Sequence, residues 1–335
     1  MGKRRKLPQA PRAIRTNIPL TAAVLLFMIF FAIGSASFRG FFSLQVIFNQ
    51  LIDNAYLLIA ALGGTMILIL GGIDLSIGAV IAFCNMITCH MLTNLGAPLI
   101  LVIPVVLCIG VLFGLMHGYL VTYKGFQPFI ATLAGQFIAR GACYIISVDT
   151  IIVNNPALIR LSIFKIRFVE KGAFLSVGAV AALLIVLIFQ IFMKRTLLGR
   201  NIYAVGGNEQ SAILMGLPVR RTKMWAYTIA GLMNAIASFA FTLYVLSAYG
   251  THADGLHLDA TAAAVIGGTL TTGGVGLMVG TLFGVLTQSI IRTMITFQGT
   301  LNSWWAKIVT ALLLLLFIMI QRVIIIMRNR NRQSK

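Results

Sequence analysis

The chain holds only seven acidic residues among 335, so each carboxylate marks a place where chemistry could be done. Asp74 and Ser76 stand in Gly71-Gly72-Ile73-Asp74-Leu75-Ser76-Ile77-Gly78, between two apolar runs. A carboxylate and a hydroxyl at this spacing can meet the polar groups of a passing solute. The same pair can N-cap a helix that begins near Leu75, and the two roles are compatible. A second polar stretch, THADGLHLDA over 251–260, carries two His-x-Asp units, His252/Asp254 and His257/Asp259. Histidine and carboxylate are zinc ligands, but this spacing follows no specific metal-site pattern. Asp259 also reads as the N-cap of a short helix starting near Ala260. His90 and His117 sit alone in apolar runs and read as hydrogen-bonded packing residues.

Missing motifs narrow the field further. There is no H-E-x-x-H, no G-x-S-x-G and no clustered carboxylate pair, which argues against an intramembrane enzyme. No lysine is followed by Ser or Thr, so no Walker A loop cradles a nucleotide. The chain is expected to hold no cofactor, and any ATP that drives it must be bound by a partner. Ion-coupled carriers bury several ionisable groups at mid-membrane. Here only Asp74 and Asp259 qualify, which favours an external driver.

The elements that position these residues are membrane helices. The sequence is 59% hydrophobic and 10% charged, with mean hydropathy +0.97, where soluble domains carry about 25% charged residues. The net charge of +19 raises the possibility of a nucleic-acid partner, but the basic residues lie in short segments between apolar runs and at both ends. The positive-inside rule explains that distribution, and no nucleic-acid partner is expected. The four cysteines fall within apolar spans without a C-x-x-C pair and read as small hydrophobes.

The expected fold is therefore all-α and polytopic, with about ten spans of about 20 residues each where they are full length. Residues 1–17 form a basic cytoplasmic tail, 18–321 the transmembrane domain, and 322–335 a second basic cytoplasmic tail. The first apolar run resembles a signal peptide but lacks a cleavage site, and is expected to stay as an anchor. The opening apolar runs, 54–70 and 75–94, are short or broken, and so is 258–270. The long outer loop is 148–172, and 194–224 is a long inner loop. Arg140, Arg292 and Lys307 lie inside apolar runs, where snorkelling would serve them.

An internal repeat joins the two broken regions. Residues 60–78 read AALGGTMILILGGIDLSIG and residues 263–280 read AAVIGGTLTTGGVGLMVG, so Gly63-Gly64-Thr65 matches Gly267-Gly268-Thr269 and Gly71-Gly72 answers Gly273-Gly274. Glycine-interrupted helices at matching places in two halves point to a translocation path. They also suit close helix packing, where small residues let backbones approach. Gly72, Asp74, Ser76, Gly78, Thr269, Thr271 and Thr272 are the candidate path residues.

The inner segment 195–221 reads as turn, helix, turn. Gly206-Gly207-Asn208 is the turn, Glu209–Met215 a short helix, and Gly216 its stop. Glu209 and Gln210 in the first turn suit the helix dipole. Ala212, Ile213 and Leu214 would leave an apolar surface that a cytoplasmic partner must cover. A plain solvated connector would fit the basic ends of this segment but not its apolar middle.

Three motifs, GGIDLSIG (71–78), IYAVGGNEQSAILMG (202–216) and AVIGGTLTTGGVG (264–276), strongly resemble those of ribose/galactose-type permeases of bacterial ABC sugar importers. The resemblance runs from Asn17 to Arg322. It implies that 195–221 is the coupling segment seated in cytoplasmic ATPase subunits, although Ser211 replaces one of the family's paired alanines. It also implies a second permease subunit (identical or a paralogue), a periplasmic sugar-binding protein, surrounding lipid, and an inner-membrane location with both termini cytoplasmic. The ending FQGTLNSWWAKI (297–308) looks most like the galactofuranose branch. Two other classes stay open at this level: an ion-coupled secondary carrier and a non-transporting scaffold.

Overall fold

The computed structural model of the chain describes residues 12–167, 173–299 and 304–333, with side chains described over 20–167, 173–299 and 304–319. α1 (Arg12–Ser37) leads to α2 (Leu44–Asp53) and α3 (Ala55–Leu70), the latter two bent by 59° about Asn54. α3 ends where Gly71 takes a left-handed conformation at φ +90° and returns its N–H to the last turn, the geometry glycine supplies without steric cost. An irregular segment, 72–76, leads into α4 (Ile77–Thr93). α5 (Leu99–Thr122) and α6 (Pro128–Ile146) follow, α6 opening on a proline whose missing N–H needs no partner there.

Next come β1 (Ile151–Ile152), α7 (Pro156–Ile163), β2 (Lys165–Arg167), β3 (Phe174–Ser176) and α8 (Val177–Arg195). α9 (Leu197–Gly207), α10 (Glu209–Leu214) and α11 (Val219–Val245) follow. β4 (Ser247–Ala248), α12 (Leu256–Ile266), α13 (Met278–Gln298) and α14 (Trp304–Gln333) complete the order. Ser176 and Thr196 start α8 and α9 by accepting from the N–H groups of Ala179 and Gly199.

The all-α expectation needs one amendment. Two small antiparallel ribbons accompany the helices, β1 pairing with β4 and β2 with β3. Lys165 stands 4.2 Å from the centre of the Phe174 ring across the second ribbon. Glu170 and Lys171 of the 148–172 loop, residues 300–303 of the 297–308 stretch and most of the 1–17 tail lie outside the described residues, as do the side chains of the 322–335 tail.

Six helices among the described residues are long and apolar enough to cross a membrane: α1, α5, α6, α8, α11 and α13; the bent pair α2–α3 makes a seventh. α4, α12 and the apolar part of α14 (304–319) are shorter. The long helices form two classes. The apolar window of α1 is 11% buried, whereas those of α11 and α13 are 61% buried. α1, α5, α6 and α8 thus form an apolar-faced perimeter.

The centre is α3, where every residue but Tyr56 is buried, as expected of a helix that is apolar all round. α3, α8, α9, α11, α12 and α13 close one core around it. α4, α5, α6 and the β1–β4 ribbon close a second, which α11 joins to the first through Ala235. Cys84, Cys89 and Cys143 are buried in the second core as small apolar groups, while Cys108 lies exposed on α5.

Candidate functional site

The two broken regions aligned in the sequence meet in space. The Gly274 N–H donates to the Ile69 carbonyl at the end of α3, 2.8 Å away. Against both lies the end of α9, where a Cβ on Gly206 would collide with the same carbonyl. A Cβ on Gly273 would stand 2.6 Å from the Gly206 carbonyl oxygen. Three backbone segments, 69–71, 206–207 and 273–274, thus pack with no side chain between them. Tyr203 of α9 ties the junction from one side by donating to the Gly276 carbonyl at 2.8 Å. Burial pushes its phenol up to about 12, so the hydroxyl keeps its proton and remains a donor.

Within the first break, Asp74 is buried, and its Oδ1 accepts from the Ser76 N–H at 2.9 Å and the Ser76 hydroxyl at 2.6 Å. The helix it precedes begins at Ile77, two residues later than the sequence suggested. Ser76 occupies the N-cap position, but its hydroxyl turns back to Asp74 and caps nothing. Thr132 of α6 holds the break in place, accepting from the Leu75 N–H at 3.2 Å and lying equally close to the Ile73 carbonyl. Gly72 is pressed against the Tyr227 hydroxyl, and Gly78 against the Ala253 carbonyl and Leu256.

The Tyr227 hydroxyl and His117 Nε2 are buried next to this segment without a hydrogen-bond partner among the described residues. His117 packs its ring on Gly135 and lies within electrostatic reach of Asp74. The hydrogen-bonded packing role expected of His117 is therefore met in its packing but not at Nε2. In the second break Thr269 is buried, while Thr271 and Thr272 are exposed.

α10 matches its sequence reading closely, whereas Gly206 and Gly207, read there as a turn, are the last residues of α9. Asn208 caps it by accepting from the Ser211 N–H at 2.7 Å. Gly216, at φ +74°, stops it, and the Leu217 N–H returns to the Ala212 carbonyl at 3.0 Å. Ile213, Leu214 and Met215 are exposed, Leu214 by 88%, and Gln210 stands exposed beside them. Ala212 is the exception: it is fully buried, facing its own chain and not a partner. Glu209 accepts from Lys223 Nζ at 2.6 Å, so it ties α10 to α11. A hollow of about 610 Å³ opens beside this pair, bordered by Thr122, Ile213, Leu217 and the basic start of α11.

Two arginines expected to snorkel do something else. Arg140 donates to the carbonyls of Gly250 and His252, at 2.7 and 2.6 Å, and faces Asp254 at 3.6 Å. It fastens a loop in which Leu246 and Ala253 take left-handed φ of 53° and 56°, costly for residues with a Cβ. Arg292 donates to Asp259 Oδ2 at 2.7 Å. Asp259 is therefore not the N-cap of α12. Gly255 takes that position, and Asp259 lies one turn inside. With both aspartates turned to arginines, the His-x-Asp units do not converge, and no group of three His, Cys, Asp or Glu among the described residues could hold a metal. Lys307 rests 4.6 Å from the Trp304 ring centre.

Residues 46–318 match the family described as branched-chain amino acid transport system, permease component. The chain is 40% identical to the inner membrane ABC transporter permease protein YjfF of Escherichia coli K12, over 96% of both chains. It is 38% identical to the fructose import permease protein FruG of Bifidobacterium longum over 92% of each. It is 32% identical to the ribose import permease protein RbsC of Bacillus subtilis over 78% of this chain and 80% of that one. No solved structure matches. The resemblance read from three short motifs thus extends over nearly the whole length, and the chain belongs to the branched-chain amino acid transport system permease family, among its ABC transporter permeases.

Proposed function

We propose that this chain is the membrane-spanning subunit of a bacterial importer that moves a monosaccharide inward, powered by separate ATPase subunits and fed by a periplasmic binding protein. The observation that carries this is the likeness to permeases named for fructose and ribose import. The exposed, apolar tip of α10 supports it, because such a surface needs a protein cover. Galactofuranose, suggested by 297–308, is the first sugar to test.

In this reading the end bearing α9 and α10 faces the cytoplasm. Counting α2–α3 as one crossing and adding α4, α12 and 304–319 to the six long helices gives ten passes and two cytoplasmic termini. Gln210, Ile213, Leu214 and Gly216 form the ATPase-docking tip, with Glu209 and Ala212 fixing it to the chain. Gly72, Asp74, Ser76, Gly78, Thr269, Thr271 and Thr272 border the inner part of the path. A neutral, hydroxyl-rich solute needs such weak polar contacts and not a deep ionic site.

The test is to purify the tagged chain in mild detergent, identify what accompanies it, and reconstitute the complex in vesicles. A co-purifying protein with a Walker A loop and ATP-dependent uptake of labelled galactose, fructose or ribose are expected. Uptake driven by a proton or sodium gradient without ATP would overturn the reading. So would uptake of leucine or valine with no sugar transported.

A further inference from the structure

At the end of the bundle away from α10, five elements bring together side chains that lie far apart along the chain. Asp53 ends α2, Tyr56 begins α3, Tyr244 lies near the end of α11, and Asp259 and Arg292 pair between α12 and α13. Tyr56 sets its ring edge on Phe241 at 5.0 Å and leans on Tyr244 at 5.7 Å. Asp53, Asp259 and Arg292 all lie within electrostatic reach of the Tyr56 hydroxyl.

This cluster reaches the surface of the chain. Tyr244 is 50% exposed, Asp53 is exposed, and the Arg292 and Asp259 side chains retain 34% and 24% of their accessible surface. Asp53 forms no hydrogen bond or ion pair among the described residues.

The backbone that presents the cluster is nonetheless rigidly held. Asn54 donates to the Gln50 carbonyl at 3.0 Å and to Ser289 Oγ at 2.7 Å, and Gln50 donates to Thr293 Oγ1 at 2.9 Å. Gln288 donates to the Asp259 carbonyl at 3.1 Å. α2, α3, α12 and α13 are thus braced by buried polar neighbours, the support a binding site needs to keep its geometry.

The chemistry specifies a ligand class. Carboxylates accept from hydroxyls, a guanidinium donates to hydroxyl oxygens in a fixed fork, and aromatic faces cover the C–H face of a ring. Two aspartates against one arginine leave a negative excess, which disfavours phosphorylated or carboxylated solutes. We propose that Asp53, Tyr56, Tyr244, Asp259 and Arg292 form a receiving site for one neutral monosaccharide, where sugar first meets the permease after leaving its binding protein. The proposal rests on the sugar-importer reading above.

The test uses the complete importer in vesicles, measuring initial uptake against concentration for D-galactose, D-fructose and D-ribose. Tyr244→Ala and Asp53→Asn change exposed side chains, and their assembly is checked by co-purification and melting temperature. Each is expected to lower uptake of the transported sugar at least fivefold at sub-saturating concentration, with a raised half-saturating concentration. Phe137→Ala removes an even more exposed ring on α6 and is expected to change uptake by less than twofold. Sugar uptake by the wild type together with unchanged uptake in both cluster variants would overturn the site while leaving the importer reading intact. A wild type that carries no sugar, but carries an amino acid or another non-sugar solute, would overturn the importer reading itself.

Discussion

The Asp74 carboxylate accepts from both the amide and the hydroxyl of Ser76, two residues on, so the spacing seen in the sequence is itself the interaction. Its two possible roles now separate by experiment. Asn at position 74 keeps an oxygen for the Ser76 N–H, whereas Ala leaves that N–H and hydroxyl without it. Asp74→Ala is expected to cost about 1–2 kcal/mol, typical of a lost cap, and Asp74→Asn less than about 1 kcal/mol. Thermal unfolding in detergent measures both. If uptake falls in proportion to stability, Asp74 serves the break. If Asp74→Asn stays stable and loses uptake, its charge serves the path. Asp259 was less legible because its partner Arg292 is 33 residues away. Its local context suggested a helix cap, and only the packing of α12 on α13 revealed the ion pair. Arg140 was obscured in the same way, since its acceptors are carbonyls more than a hundred residues distant.

At the scale of elements, α10 was readable almost completely, because its cap, its stop and its length are all local signals. What the sequence could not disclose is which side chains face inward, since six residues are too few to define a face. Ala212 turned out to be buried and Glu209 to be bound to Lys223. These contacts separate two kinds of variant. Leu214→Asp changes a side chain that is 88% exposed, and is expected to leave the chain's melting temperature within about 1 °C while lowering ATPase co-purification severalfold. Gly216→Pro forces φ from +74° towards about −65°, and is expected to unseat α10 and weaken co-purification by a different route. Glu209→Lys removes a half-exposed ion pair worth at most about 1 kcal/mol and places two lysines together, so its effect should shrink as salt rises. Unchanged ATPase binding in both Leu214→Asp and Gly216→Pro would refute the docking assignment. The same limit applies to the short strands: β1 and β4 are two residues each, with no periodicity to read.

Over the whole molecule, the sequence repeat pointed to two glycine-rich breaks, but not to their meeting, nor to α9 as the helix packed against both. The contact follows from the fold: α3 and α12 pack side by side, each ends in glycine, and α9 crosses their ends. α9 leads directly into α10, so under the docking role proposed for α10 a movement of its tip is expected to reach both breaks, backbone to backbone. Neighbouring glycines provide the test. Gly206 has no room for a Cβ, which would strike the Ile69 carbonyl, while a Cβ on Gly207 meets nothing within 4 Å. Packed interiors do not absorb even one added carbon without a shift, typically at about 1–3 kcal/mol. Gly206→Ala is therefore expected to part α9 from the breaks, lowering uptake at least tenfold while the ATPase still co-purifies through an intact α10. Gly207→Ala, one residue away and in the same helix, is expected to leave uptake within twofold and to raise helix stability slightly. Vesicle uptake and ATP hydrolysis measured on the same preparations would show hydrolysis continuing without transport in the first variant. Equal uptake by the two variants would mean that the glycine junction only packs the fold and that coupling travels by another route.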